Sequence, residues 1–71
     1  MSAPGVDVNR ASAAEIQMRC GVDGVTANIV VRARAGEPFR SLDDVGALPG
    51  VGVATVRRMQ ERGCWCSWRG G

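Results

Sequence analysis

The chain has 71 residues, enough for one small domain, and 45% of them are hydrophobic but only 4% aromatic, which predicts an aliphatic core. Nine basic residues, all of them arginine, against seven acidic residues leave a formal charge of +2, which allows a local basic patch but not a polybasic surface. Histidine is absent, which excludes histidine-based acid–base and metal chemistry.

The apolar segments and the cysteines indicate where in the cell the chain is located. No run approaches the roughly 18 apolar residues of a membrane span, and the first residues lack the charged and apolar regions of a secretory signal. Three cysteines is an odd number, and Cys64 and Cys66 are too close together for a disulfide framework. These features favour a reducing, cytoplasmic location without structural disulfides.

The first half of the chain predicts two helices. Residues 1–5 are expected to be disordered, and 6–9 form an extended lead-in. Ser12 and Glu15 have the spacing of a capping box, so a first helix should run over 13–19. A second helix should follow over 25–35, after a glycine-containing break.

The second half predicts two more helices. A linker over 36–40 precedes them, and its Phe39 is expected to enter the core. Ser41-Leu42-Asp43-Asp44 has the spacing of a second capping box and should open a short third helix. Leu48-Pro49-Gly50-Val51-Gly52 predicts a sharp turn, because glycine accepts backbone conformations that other residues avoid. A fourth helix over 54–62 should end near Gly63 in a left-handed position.

The two halves repeat each other with an offset of 29 residues and no gap. The matched pairs include Ser12 with Ser41, Gly21 with Gly50, Val22 with Val51 and Thr26 with Thr55. A repeat at fixed spacing indicates an internal duplication. We therefore predict an all-α domain over 6–63, in which two helix–hairpin–helix motifs pack about a pseudo-twofold axis. It contains four short helices and a connecting linker.

The hairpin at Leu48–Gly52 is a candidate anion site. It aims unpaired backbone N–H groups and the positive end of a helix dipole at one point outside the protein. A phosphate is the natural ligand of such a point.

Three segments resemble the ComEA-type competence DNA-receptor family. The run from Val6 to Ile16 is similar to its V-N-I-N-T-A-S-x-x-E-L opening, and the run from Gly36 to Val45 is similar to its middle segment. Leu48–Gly52 resembles its hairpin, so the resemblance covers about residues 6–62.

This resemblance implies sequence-independent binding to the DNA backbone, through hairpin amides and neighbouring basic residues. Such contacts position a protein without reading bases, and they weaken with salt. The resemblance places the second hairpin's contacts at Gly50, Val51, Gly52, Thr55, Arg57 and Arg58, and those of the first hairpin (Arg19–Asp23) at Gly21, Val22, Gly24 and Thr26.

The first hairpin departs from the pattern at Asp23, which stands where the second hairpin has Gly52. A carboxylate there should repel a phosphate, at a cost on the order of 1 kcal/mol. Gly24 could restore the turn in a shifted register. We therefore predict one competent hairpin and one impaired hairpin.

The last eight residues lie outside the repeat and are predicted to form a Cys/Trp-rich flexible tail, 64–71. One alternative function follows from them: a ribosomal precursor peptide whose helical leader is recognised by a modifying enzyme, with Cys64, Trp65, Cys66 and Trp68 as possible modification sites. A protein–protein interaction module is a second alternative.

No constellation of nucleophile, base and oxyanion donors is visible, so no enzymatic activity is expected. We also expect no cofactor and no metal, because Cys64 and Cys66 have no evident third or fourth ligand.

Overall fold

A computed structural model describes residues 5–68, and it is all-α as predicted. Within this range there are four helices and no strand: α1 (Ala13–Cys20), α2 (Gly24–Gly36), α3 (Leu42–Gly46) and α4 (Val53–Glu61). Each helix lies within one or two residues of its predicted bounds. The disorder expected for residues 1–4, and the sequence Arg-Gly-Gly that closes the tail, lie outside the described residues.

One of the two predicted capping boxes is confirmed and the other is wrong. The Ser12 hydroxyl accepts a hydrogen bond from the Glu15 amide at 3.1 Å, and Glu15 accepts one from the Ser12 amide at 2.9 Å. Ser41 makes no side-chain cap bond. The Asp44 carboxylate instead accepts a hydrogen bond from the Arg40 amide at 2.9 Å. The side chain of α3 thus bonds to the residue before the N-cap and not to the N-cap itself.

The core is aliphatic and draws on all four helices. Ile16, Val30, Val45 and Met59, one from each helix, are fully buried. Phe39 joins them from the linker with 4% of its surface exposed, as predicted. The linker thereby closes one side of the core.

Asn9 and Arg34 fasten the lead-in and the linker to the helices. Asn9 accepts a hydrogen bond from the Phe39 amide and donates one to the Phe39 carbonyl, both at 2.9 Å. The Arg34 guanidinium donates to the carbonyl of Val8 at 2.8 Å and to that of Ala11. Arg34 therefore has a structural role, since its guanidinium holds the lead-in against α2.

Residues 64–68, here called the C-terminal strap, pack on the domain, so the prediction of a flexible tail is wrong for this segment. Cys64 is buried. The Trp65 amide donates to the Val6 carbonyl at 3.1 Å, and the Val8 amide donates to the Trp65 carbonyl at 2.8 Å. These bonds form a single parallel bridge between Asp7 and Trp65.

The end of the strap is tied to the lead-in by side chains. The Ser67 amide donates to Asp7 at 3.0 Å, and Asn9 donates to the Ser67 carbonyl at 2.7 Å. Burial alone would raise the pKa of Asp7, but hydrogen bonds from Ser67 and Asn9, with the Arg10 charge, together hold that pKa below its usual value. The lead-in and the strap are therefore one unit.

A disulfide joins Cys20 to Cys64, so the expectation of a chain without disulfides is wrong. Their Cα atoms are 6.0 Å apart and 44 positions separate them in sequence. The close spacing of Cys64 and Cys66 was uninformative, because the partner of Cys64 lies at the end of α1. The prediction of a reducing compartment loses this basis, since structural disulfides are typical of oxidising compartments.

Candidate nucleic-acid interface

The second hairpin is an exposed turn built on two glycines. Gly50 and Gly52 have φ angles of 87° and 86°, in the left-handed region that favours glycine. The Val51 amide donates to the Leu48 carbonyl at 3.1 Å, which closes the turn. A Cβ added to Gly52 would meet no atom within 4 Å, so the backbone at this point is open to another molecule.

The N-terminus of α4 has no internal cap. Gly52 is the N-cap residue and has no side chain to offer, and the first helical hydrogen bond runs from the Val56 amide to the Gly52 carbonyl at 3.4 Å. Within residues 5–68, the amides of Val53, Ala54 and Thr55 have no acceptor. Three N–H groups and the positive end of the helix dipole thus remain available to an anion.

The first hairpin differs because a carboxylate of the chain itself caps the helix that follows it. Asp23 is the N-cap of α2, and its carboxylate accepts the Thr26 amide at 2.8 Å. Hydrogen bonding to the side chain and to the amide of Thr26 holds the pKa of Asp23 below its usual value. Gly24 is the first residue of α2 and has no positive φ, so the predicted shifted turn at Gly24 is wrong. Asp23 therefore satisfies a group that the second hairpin leaves free.

The side chains in and after the two hairpins differ in how far they are exposed to solvent. Thr26 and Val22 are buried, whereas Thr55 is half-buried and Arg57 is exposed. Arg58, which the resemblance grouped with the second hairpin, reaches the first one instead: its guanidinium donates to the Gly21 carbonyl at 3.4 Å.

Sequence reasoning missed Arg62. A Cβ built on Gly21 would lie 3.1 Å from the Cζ atom of Arg62, so this guanidinium packs directly on the first hairpin. The signal that could have found it is the disulfide, because Cys64 follows Arg62 by two residues and Cys20 precedes Gly21 by one. A sequence without a known disulfide pairing does not bring these segments together.

The contacts between the halves are reciprocal. Gly21 meets Arg58 of α4, and the methyl end of Ile29 of α2 lies 3.7 Å from a Cβ built on Gly50. Adding or subtracting 29 exchanges Gly21 with Gly50 and Ile29 with Arg58. Each hairpin therefore packs against the helix of the opposite half at the same position, with a cation at the first hairpin and an apolar residue at the second.

The four possible modification sites all lie within the C-terminal strap. Cys64 is in the disulfide, and Trp65 and Trp68 are 52% and 42% exposed. The Arg40 guanidinium lies over the Trp68 ring, 5.2 Å from its centroid. Burial, with the negative charges of Asp7 and Asp44, raises the pKa of the free Cys66 thiol to about 11, which makes it a poor nucleophile.

The described part of the chain has neither a metal-binding cluster nor a membrane-spanning helix. Residues 5–68 contain no group of three histidine, cysteine, aspartate or glutamate side chains that could hold a metal ion. None of the four helices has the length and apolar character needed to cross a bilayer.

Comparison with known proteins gives one family. A family model described as helix-hairpin-helix motif matches residues 1–62. No curated protein and no solved structure matches the chain. Helix-hairpin-helix motifs generally bind nucleic acid and are not catalytic, which supports a DNA-binding module.

Proposed function

Because the chain belongs to the helix-hairpin-helix motif family, we propose that it is a DNA-binding module that contacts the phosphate backbone without reading sequence. The observation that carries this proposal is the uncapped N-terminus of α4, where three amides without an acceptor in residues 5–68 follow Gly52. Arg57, on the first turns of the same helix, adds an exposed cation near this site. A phosphate oxygen is the acceptor that such a site fits.

A tandem arrangement of the ComEA type is part of the proposal. The 29-residue offset and the reciprocal contacts of Gly21 and Gly50 support two motifs related by a pseudo-twofold axis. In such an arrangement each hairpin faces one strand of a duplex. The two hairpins are unequal here, because Asp23 caps α2 and nothing comparable caps α4.

The alternatives have less support. Modification at Cys64 by a peptide-modifying enzyme would first require its buried disulfide to open, and the half-buried Cys66 thiol has a raised pKa. No observation favours a protein–protein role over DNA binding. The absence of a catalytic role belongs to the same proposal, since the motif binds rather than catalyses.

The proposal is tested by placing a negative charge on the uncapped helix. We expect Gly52→Asp to weaken binding to a short DNA duplex at least tenfold at low salt, because its carboxylate repels the phosphate and can cap the amides from within. Gly52→Ala carries the same backbone strain without the charge, and Gly36→Asp carries the charge at an exposed site with no atom within 4 Å of the added Cβ. Equal affinities for wild type, Gly52→Asp and Gly36→Asp would refute the proposal.

A further inference from the structure

Two arginines from α4 and its C-cap lie on the first hairpin, although that hairpin belongs to the other half of the chain. Arg58 donates to the Gly21 carbonyl at 3.4 Å, and the Arg62 Cζ atom lies 3.1 Å from the place where a Cβ on Gly21 would stand. Both side chains are exposed. The first hairpin is thus flanked by two positive charges that its own sequence does not contain.

The first hairpin needs such donors if it is to bind an anion. Asp23 takes the Thr26 amide and puts a carboxylate at the helix N-terminus, so backbone binding of a phosphate is opposed there. Gly21 keeps the left-handed φ of 71°, so the turn itself is retained, although Gly21 is half-buried and Val22 is buried. Because Asp23 takes the Thr26 amide and adds a negative charge, a phosphate here needs further donors and positive charge, and guanidinium groups supply both.

The two guanidinium groups are available. Among the residues that the structure describes, the one ion pair joins Arg10 to Asp7 at 3.7 Å, so neither Arg58 nor Arg62 pairs with Asp23 or with any other carboxylate. An arginine has five N–H donors in a planar fork that fits two phosphate oxygens. Arg58 uses one of its donors on Gly21, and the others remain.

The disulfide fixes this arrangement. It holds the residue before Gly21 to the residue two positions after Arg62, with 6.0 Å between the Cα atoms of Cys20 and Cys64. Both ends of the disulfide are buried, so the end of α4 keeps its position beside the first hairpin. At the equivalent positions of α2, Ile29 and Ala33 stand in place of Arg58 and Arg62, and the second hairpin has no such cations.

We propose that the first hairpin binds a phosphodiester of the same DNA through the Arg58 and Arg62 guanidinium groups, and not through the start of α2, where Asp23 takes the Thr26 amide and adds a negative charge. This inference rests on the proposed function. The chain then holds two phosphate sites of different chemistry, with amides at the second hairpin and guanidinium groups at the first. It also gives the disulfide a role in binding as well as in stability.

The test measures DNA affinity against salt concentration for single arginine variants. Each phosphate contact contributes about 0.9 to the slope of log K against log salt. Arg58→Gln and Arg62→Gln should each weaken binding several-fold and reduce the magnitude of the slope by about one. The control is Arg32→Gln, which removes the same charge from an exposed position on α2 and should leave the slope unchanged.

The outcomes separate this inference from the function on which it rests. If wild type binds no DNA at low salt, the proposed function fails and the inference fails with it. If wild type binds and Gly52→Asp weakens binding, but Arg58→Gln and Arg62→Gln behave like Arg32→Gln, the function stands and the guanidinium site is refuted. A reduced slope for both variants, with the unfolding midpoint unchanged, supports it.

Discussion

Removal of the Cys20–Cys64 disulfide should cost the domain much of its stability. The bond closes a loop with a sequence separation of 44 residues, and the loss of chain entropy in the unfolded state for a loop of that length is worth about 4 kcal/mol at 25 °C. A chain of 71 residues is expected to have a free energy of unfolding of roughly 4–11 kcal/mol. The disulfide therefore supplies between a third and all of it.

The assay is urea unfolding followed by circular dichroism, with Cys64→Ala compared with Cys66→Ala. Cys66 is a matched control, because it is a half-buried cysteine two residues away that forms no disulfide. We expect Cys64→Ala to lose about 4 kcal/mol and Cys66→Ala to lose less than about 1 kcal/mol. A dithiol reductant should shift wild type to the curve of Cys64→Ala.

Two results would contradict this reasoning. Wild type could unfold at the same urea concentration with and without reductant, or the two alanine variants could be equally stable. Either result would mean that the disulfide does not constrain the unfolded chain, and that the packing of the strap is sufficient to hold it in place.

Three further predictions concern titration and the first hairpin. The pKa values of Asp7, Glu15 and Asp23 lie below their usual values, so these carboxylates stabilise the folded protein above the ordinary carboxyl range and cease to do so as pH falls through the lowered values. The urea concentration at the unfolding midpoint should therefore decrease once the pH is below about 4, and a midpoint that does not change there would contradict this reasoning. The Cys66 thiol, whose pKa burial raises to about 11, should be alkylated by iodoacetamide at pH 8 on the order of a hundred times more slowly in the folded protein than in urea, and equal rates would contradict the burial. Asp23→Gly should free the Thr26 amide, remove the opposing charge and tighten DNA binding in a fluorescence anisotropy titration, at little cost in stability, whereas unchanged affinity would show that Asp23 does not oppose the phosphate.

Features set by neighbours in sequence could be predicted, and features set by distant contacts could not. The four helices, the Ser12 capping box and the left-handed Gly63, with φ of 80°, all follow from local chemistry. The second capping box failed because Asp44 bonds to the Arg40 amide, one residue away from the expected partner. A local sequence pattern identifies the side chains and amides that could form a capping hydrogen bond, but not which pair forms it.

The site was predicted in the same uneven way. The open second hairpin follows from Gly50 and Gly52, and the unusual character of Asp23 was visible in the repeat. Its role as the N-cap of α2 needed the structure, because the sequence shows a charge and not its hydrogen bond. The positions of Arg58 and Arg62 depend on packing between the halves and on a disulfide across 44 residues, which no local pattern encodes.

An amide-resolved NMR titration with a short DNA duplex, at low and at near-physiological salt, tests most directly whether the uncapped helix binds phosphate. We expect shifts at the amides of Val53, Ala54 and Thr55 that diminish as salt rises and disappear in Gly52→Asp. No shift at these three amides at low salt, under conditions where the duplex is in excess, would contradict the claim that the uncapped helix binds phosphate.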